Sequence, residues 1–166
     1  MNIRSAKAED VEFLEAMLFE AFFWDAAAAR PAFAAFRQHP EFTKLLSNWG
    51  RPGDWGAIAE DGGRQLGAAW FRMWTPELHS YGFVDSATPE LGLAVSPAHR
   101  RQGIGRALLS ALIRMARVEQ FPALSLSVDP ANPSRSLYES FGFQKVGESG
   151  TSWTLLLPFI EPGDHN

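Results

Sequence analysis

The chain has 166 residues, 46% of them hydrophobic, no cysteine and a formal net charge of -4. That length and apolar content fit one domain with a substantial core, while the missing cysteine excludes disulfides and thiolate metal sites and permits a reducing compartment. The acidic balance argues against a nucleic-acid binder, which needs a basic face or a strongly basic domain.

Read in chain order, a first strand is expected near Asn2 to Ser5. The charges Arg4, Lys7, Glu9 and Asp10 break any signal-peptide hydrophobic region there. A helix is predicted from about Asp10, with Val11, Leu14, Leu18, Ala21 and Phe22 on one apolar face. The most apolar stretch, Val11 to Phe36, is interrupted by Glu12, Glu15, Glu20, Asp25 and Arg30, so no bilayer span is expected and the cytoplasm is the expected compartment. A second helical region is predicted from Pro31 to about Asn48, followed by a turn over Gly50 to Asp54. Trp55 to Glu60, the turn Asp61-Gly62-Gly63, and Gln65 to Trp74 read as a hairpin.

The next segment carries the chemistry. An apolar run, Leu91 to Val95, leads to Arg100-Arg101-Gln102-Gly103-Ile104-Gly105 and then to an amphipathic stretch, Ile104 to Val118. This is a strand, a glycine loop and a helix start. Amides at a helix N-terminus have no intrahelical acceptor and the helix dipole adds positive potential, so the loop suits an anion. His99, Arg100, Arg101 and Arg106 add local cations, which points to a small phosphorylated cofactor. A P-loop is excluded because Gly105 is followed by Arg106 and Ala107 rather than by Lys and a hydroxyl residue. A dinucleotide loop is excluded because Leu108 stands where its third glycine belongs.

Leu124 to Val128 alternates as a strand and Asp129-Pro130 stops it. Asn132 is a good N-cap, Pro133 suits the first helical position, and Gly142 suits the left-handed position after the helix. Leu137 and Phe141 are expected to form the inward stripe of that helix, with Tyr138 rotated off it. Gln144 to Gly147 and Ser152 to Leu157 read as a closing strand pair, and residues 161–166 as a short polar tail that frays. No pair of His, Cys, Asp or Glu has metal-ligand spacing, and no Ser or Cys nucleophile signature occurs.

The spacing of Arg100, Gly103 and Gly105, approached through Val95-Ser96-Pro97-Ala98-His99, resembles the acetyl-CoA loop of the GNAT superfamily of N-acetyltransferases. The run Asn132 to Phe143, an Asn before a helix carrying Leu-Tyr and ending in Gly-Phe, resembles that family's second signature. The likeness is specific over Glu90 to Gly142 and architectural elsewhere. It implies a mixed α/β acyl-CoA N-acyltransferase fold in one domain, residues 1–160. Its central, mostly antiparallel sheet has six to seven strands with a splayed parallel pair, flanked by about four helices.

The same resemblance implies acetyl-CoA as cosubstrate, no metal, and transfer of the acetyl group to an amine. Arg100, Arg101, Gln102, Gly103, Ile104, Gly105 and Arg106 are then cofactor-binding. The backbone of Leu93, Ala94 and Val95 serves the pantetheine arm and polarises the thioester carbonyl, and Asn132 and Tyr138 also bind the cofactor. Tyr138 matches the general acid. Glu90 matches a base acting through a water, although Pro89-Glu90 also reads as a turn. Asp85, His79, Glu77 and His39 are weaker bases without a motif. Trp24, Trp74 and Tyr81 are candidates for the acceptor pocket, since the family places its first helices over that side. The expected partner is a small-molecule or peptide amine, without nucleic acid or membrane, in a chain that can form a homodimer. The competing reading is an acyl-CoA-binding sensor or assembly module of the same fold that transfers nothing.

Overall fold

A computed structural model describes residues 1–159 of the chain, so the polar tail expected at 161–166 lies outside the described residues. Among the described residues, seven strands and five α-helices follow one another as β1 (Asn2–Ser5), α1 (Val11–Phe22), α2 (Phe33–Gln38), α3 (Pro40–Leu46), β2 (Trp55–Asp61), β3 (Arg64–Arg72), β4 (Glu90–Val95), α4 (Ile104–Val118), β5 (Ala123–Val128), α5 (Ser134–Ser140), β6 (Gln144–Ser149) and β7 (Ser152–Pro158). The fold is mixed α/β, with a mostly antiparallel sheet and one parallel pair, β4 with β5. The described residues divide into two compact units, Met1–Phe71 with Gly92–Leu112, and Arg72–Leu91 with the chain from Ile113 onward.

In the first unit β1 runs antiparallel to β2, with Ile3 opposite Ala59, and β2 antiparallel to β3, with Ala57 opposite Ala69. β4 follows β3 in the strand order. Ala57, Ala59, Ala68 and Ala69 are fully buried in these strands, so their small side chains leave room for larger ones packed over them. On α4, Leu108, Leu109 and Leu112 are fully buried, the 3.6-residue stripe expected of an amphipathic helix. Trp70 lies against Gly92 so closely that a Cβ there would sit 2.6 Å from the indole Cζ2, which makes glycine obligatory at that point of β4.

Two expectations for the front of the chain need correction. The buried face of α1 is Leu14, Met17, Leu18 and Phe19, while Val11, Ala21 and Phe22 are only half-buried. Aromatic packing sets that rotation: the Phe19 ring lies 5.1 Å from Phe36 and 5.3 Å from Phe33, both edge-on. The single helix expected over 31–48 is two helices, because Pro40 cannot continue a helix and holds His39 extended, at φ -74 and ψ 126. His39 then caps α3, its Nδ1 accepting from the Glu41 N–H at 3.2 Å. This break accounts for five helices rather than about four.

In the second unit β5 pairs parallel with β4 at Glu90 and Ser125 and antiparallel with β7, with Ser125 opposite Leu156. β6 pairs antiparallel with β7 through an irregularity between Lys145 and Gly147. Ser125 is as buried as Leu124 and Leu126 despite their alternation in polarity, so β5 is covered on both faces. On α5 the expected inward pair is also corrected. Tyr138 is the buried residue, edge-on to Phe143 at 5.8 Å, while Leu137 and Phe141 are half-buried. The helix is so short that one residue of phase decides which side chain faces inward. Gly142 ends it at φ +101, as expected.

Candidate active site

The first unit holds the glycine loop. After β4 ends at Val95, a 3₁₀ turn over Pro97–His99 leads into the loop, and the 15-residue α4 starts at Ile104. Two left-handed residues make the bend, Arg101 at φ 63 and Gly103 at φ 81. A Cβ added at Gly103 would meet nothing within 4 Å, so the loop is open on that side. Ala107 N–H donates to Gly103 O at 3.1 Å, which starts the helical ladder. The amides just before it are those that a helix leaves without an internal acceptor. Arg101, Gln102, Gly103 and Arg106 are exposed, Gly105 is half-buried, and Ile104 is buried as the anchor of the turn.

Arg100, the first residue of the signature, is turned back onto the protein. Its Nε donates to Val95 O at 3.2 Å and its Nη2 to Glu20 Oε2 at 3.3 Å. Glu20 lies on α1, 80 positions earlier, and no local pattern in the sequence singles it out. Leu93 and Val95 are half-buried and Ala94 is buried, all beyond the residue at which β4 is registered with β5. Trp24 is half-buried just past the end of α1.

The second unit brings together a different set. Glu90 is buried, and its Oε2 accepts the Gly82 N–H at 3.1 Å. A Cβ at Gly82 would lie 2.6 Å from the Leu126 carbonyl carbon, so the segment before β4 rests directly on the β5 backbone. Ser125, across from Glu90, is fully buried and its Oγ has no hydrogen-bond partner among the described residues. Tyr138 is buried, which pushes its phenol above the ordinary tyrosine range, and its hydroxyl makes no hydrogen bond among the described residues. Asn132 Oδ1 accepts the Ser134 N–H at 2.9 Å and so caps α5, which begins one residue later than expected. Trp74 is buried with the Arg72 guanidinium 5.7 Å from its ring, and Tyr81 is exposed.

Of the weaker base candidates, Asp85, His79 and His39 have local structural partners. Asp85 Oδ1 accepts the Ala87 N–H at 2.9 Å, and His79 lies 2.8 Å from Ser80 O while its ring stacks on Phe83. Among the described residues no three His, Asp or Glu gather in a way that could hold a metal ion, and no helix is long and apolar enough to cross a membrane.

An open glycine loop, entered from a strand and followed by a long amphipathic helix, leaves backbone amides suited to an anion. Comparison with known proteins goes further. The model of the acetyltransferase (GNAT) family matches residues 18–143. The chain is 37% identical to N-acetyltransferase family 8 member 3 of Mus musculus over 60 residues, which is 36% of this chain and 26% of that relative. The chain therefore matches only about a quarter of the length of that curated relative.

Among solved structures, a ribosomal-protein-alanine N-acetyltransferase from Brucella melitensis has a TM-score of 0.70 at 24% identity, covering 96% of this chain and 100% of that one. A putative acetyltransferase of Salmonella typhimurium, solved with its cofactor acetyl-CoA, has a TM-score of 0.68 at 24% identity and covers 100% and 98%. These two likenesses establish the fold. With the family match over most of its length, the chain belongs to the GNAT acetyltransferase family.

Proposed function

We propose that the protein transfers an acetyl group from acetyl-CoA to a primary amine of a small molecule or peptide, by direct attack in a ternary complex and with the chain acting as one acetyltransferase domain. The observation that carries this reading is the loop before α4, where Gly103 at φ +81 leaves open space and the helix amides begin. A pyrophosphate fits that donor set. The backbone N–H groups of Arg101 to Arg106 face it, the Arg101 and Arg106 side chains supply charge, and Gln102 adds a donor. The main chain of Leu93, Ala94 and Val95 binds the pantetheine arm, one N–H polarising the thioester carbonyl, and Asn132 is a further cofactor contact.

Acetyl-CoA supplies an activated acyl group with a thiolate leaving group. As the new C–N bond forms, Glu90 accepts through a water the proton that the attacking nitrogen loses. As the C–S bond breaks, Tyr138 Oη gives its proton to sulfur and recovers one from solvent. Burial keeps Tyr138 protonated throughout the neutral range, so the donor is always loaded. It also widens the gap to a thiol of about 8.5, so Tyr138 acts chiefly by hydrogen-bonding the leaving sulfur, with full transfer completing late. Trp24, Trp74 and Tyr81 are the candidates for acceptor contacts.

The test is incubation with acetyl-CoA and a panel of amines, following free thiol and the mass of the products. Amine-dependent thiol release with an acetylated product supports the proposal. CoA binding without turnover across the panel would identify an acyl-CoA-binding module instead, and no CoA binding would remove both readings.

A further inference from the structure

Glu20 stands near the C-terminal end of α1, its side chain only 15% exposed, and both its oxygens are occupied by guanidinium groups from two different segments. Oε2 takes Arg100 Nη2 at 3.3 Å, and Oε1 takes Arg30 Nη1 at 3.2 Å. Each arginine has a second hold on the main chain. Arg100 Nε donates to Val95 O at 3.2 Å, at the end of β4, and Arg30 Nη2 donates to Phe23 O at 2.7 Å, at the end of α1. The Arg30 guanidinium also lies 5.1 Å from the centre of the Phe19 ring.

We propose that Glu20 is a positioning residue that couples the cofactor loop to residues 23–32, the segment between α1 and α2 that carries Trp24. The inference rests on the cofactor reading of the glycine loop. An isolated exposed ion pair contributes little, but one carboxylate shared by two guanidiniums differs. Without Glu20, two like charges face each other, and each loses the anchor they share. Arg100 is the residue directly before the left-handed Arg101, so a change in how its side chain is held is passed to the bend that meets phosphate. Arg30 is the side-chain tie from the far end of residues 23–32 back to α1. Occupancy of the loop therefore orders residues 23–32 and, because coupling is reciprocal, order in that segment favours cofactor.

The experiment measures CoA affinity by calorimetry, Michaelis constants for both substrates, and hydrogen exchange over residues 24–32 with and without CoA. It uses wild type, Glu20→Gln, Glu20→Ala, Arg100→Ala and the Glu20→Ala/Arg100→Ala double variant. In wild type, CoA slows exchange at 24–32. Glu20→Ala is expected to abolish that protection and weaken CoA about 5- to 10-fold, the lower range of typical coupling, with kcat little changed. The double variant is expected to bind CoA no worse than the weaker single variant, because both changes cut the same tie.

Glu20→Gln keeps the shape and is expected to lose most of the protection, so it serves if Glu20→Ala does not fold. Glu15→Gln, which breaks the separate pair between Glu15 on α1 and Arg37 on α2, is expected to leave CoA binding and protection as in wild type. Unchanged protection in a folded Glu20→Gln protein, or full additivity in the double variant, overturns the inference alone. Failure of wild type to bind CoA overturns the cofactor reading and this inference with it.

Discussion

Arg101 stands at φ 63, in a conformation that costs an L-residue about 1 to 2 kcal/mol and costs glycine little. Arg101→Gly should therefore raise stability in denaturant unfolding by about 1 kcal/mol while weakening CoA, since a loop cation is lost. A stabilised variant with unaltered CoA affinity would show that this side chain does not touch phosphate. Gly103→Asp tests the neighbouring position with the opposite balance. Space exists for a Cβ, so the fold should survive strain of about 1 to 2 kcal/mol, but a carboxylate would stand at the proposed anion site and CoA binding should fall about 100-fold, near the top of the roughly 1 to 3 kcal/mol of one lost charged contact. Calorimetry on the folded variant decides it.

Tyr138 yields a prediction in pH. Its folded pKa is raised by burial, so the folded state holds the phenolic proton after the unfolded chain begins to release it near pH 10. The associated stability is fully present below that pH and is lost as pH rises above it. Tyr138→Phe should remove this alkaline loss, and in turnover should lower kcat about 10- to 100-fold with KM for acetyl-CoA less affected. Denaturation at pH 8 and above pH 10, alongside steady-state kinetics, separates the two effects.

Among elements, the join between β1 and the first turn is held by charge. Arg4 donates to both oxygens of Asp10, at 2.8 and 2.9 Å, and the Lys7 N–H adds a third bond at 2.7 Å. Arg4 and these bonds hold the Asp10 carboxyl below its ordinary value. Its stabilising effect is present above about pH 4 and is lost as pH falls through the lower folded value. Asp10→Asn should cost about 1 to 3 kcal/mol at neutral pH and flatten the acid limb of a stability profile. An unchanged acid limb would show that other carboxylates govern acid unfolding.

Element type and order were readable from periodicity and punctuation: the alternation of β5, the stripe of α4 and the turn at Gly62-Gly63 are all local signals. Helix phase was not. The aromatic residues Phe19, Phe33 and Phe36 turn α1 toward partners from α2, and Pro40 splits a run otherwise rich in helix formers.

At the scale of the whole molecule, a ligand that binds only the folded chain must stabilise it. CoA at 100 times its dissociation constant should add about 2.7 kcal/mol, seen as a rise in melting temperature, and Gly103→Asp should show almost none of that rise. No rise in wild type would contradict the cofactor assignment at any site. The loop and the end of α5 were legible because left-handed bends and helix ends draw on particular residues at fixed neighbouring positions. Sequence by itself therefore determined the family, the strand-loop-helix unit and Tyr138 as the acid candidate.

Only the tertiary structure decided that Arg100 turns to Val95 and Glu20, that Glu90 receives the Gly82 amide, and that Tyr138 rather than Leu137 is buried. Those outcomes depend on which side chains meet across long stretches of chain. Such meetings follow from how elements pack, and no local spacing encodes them.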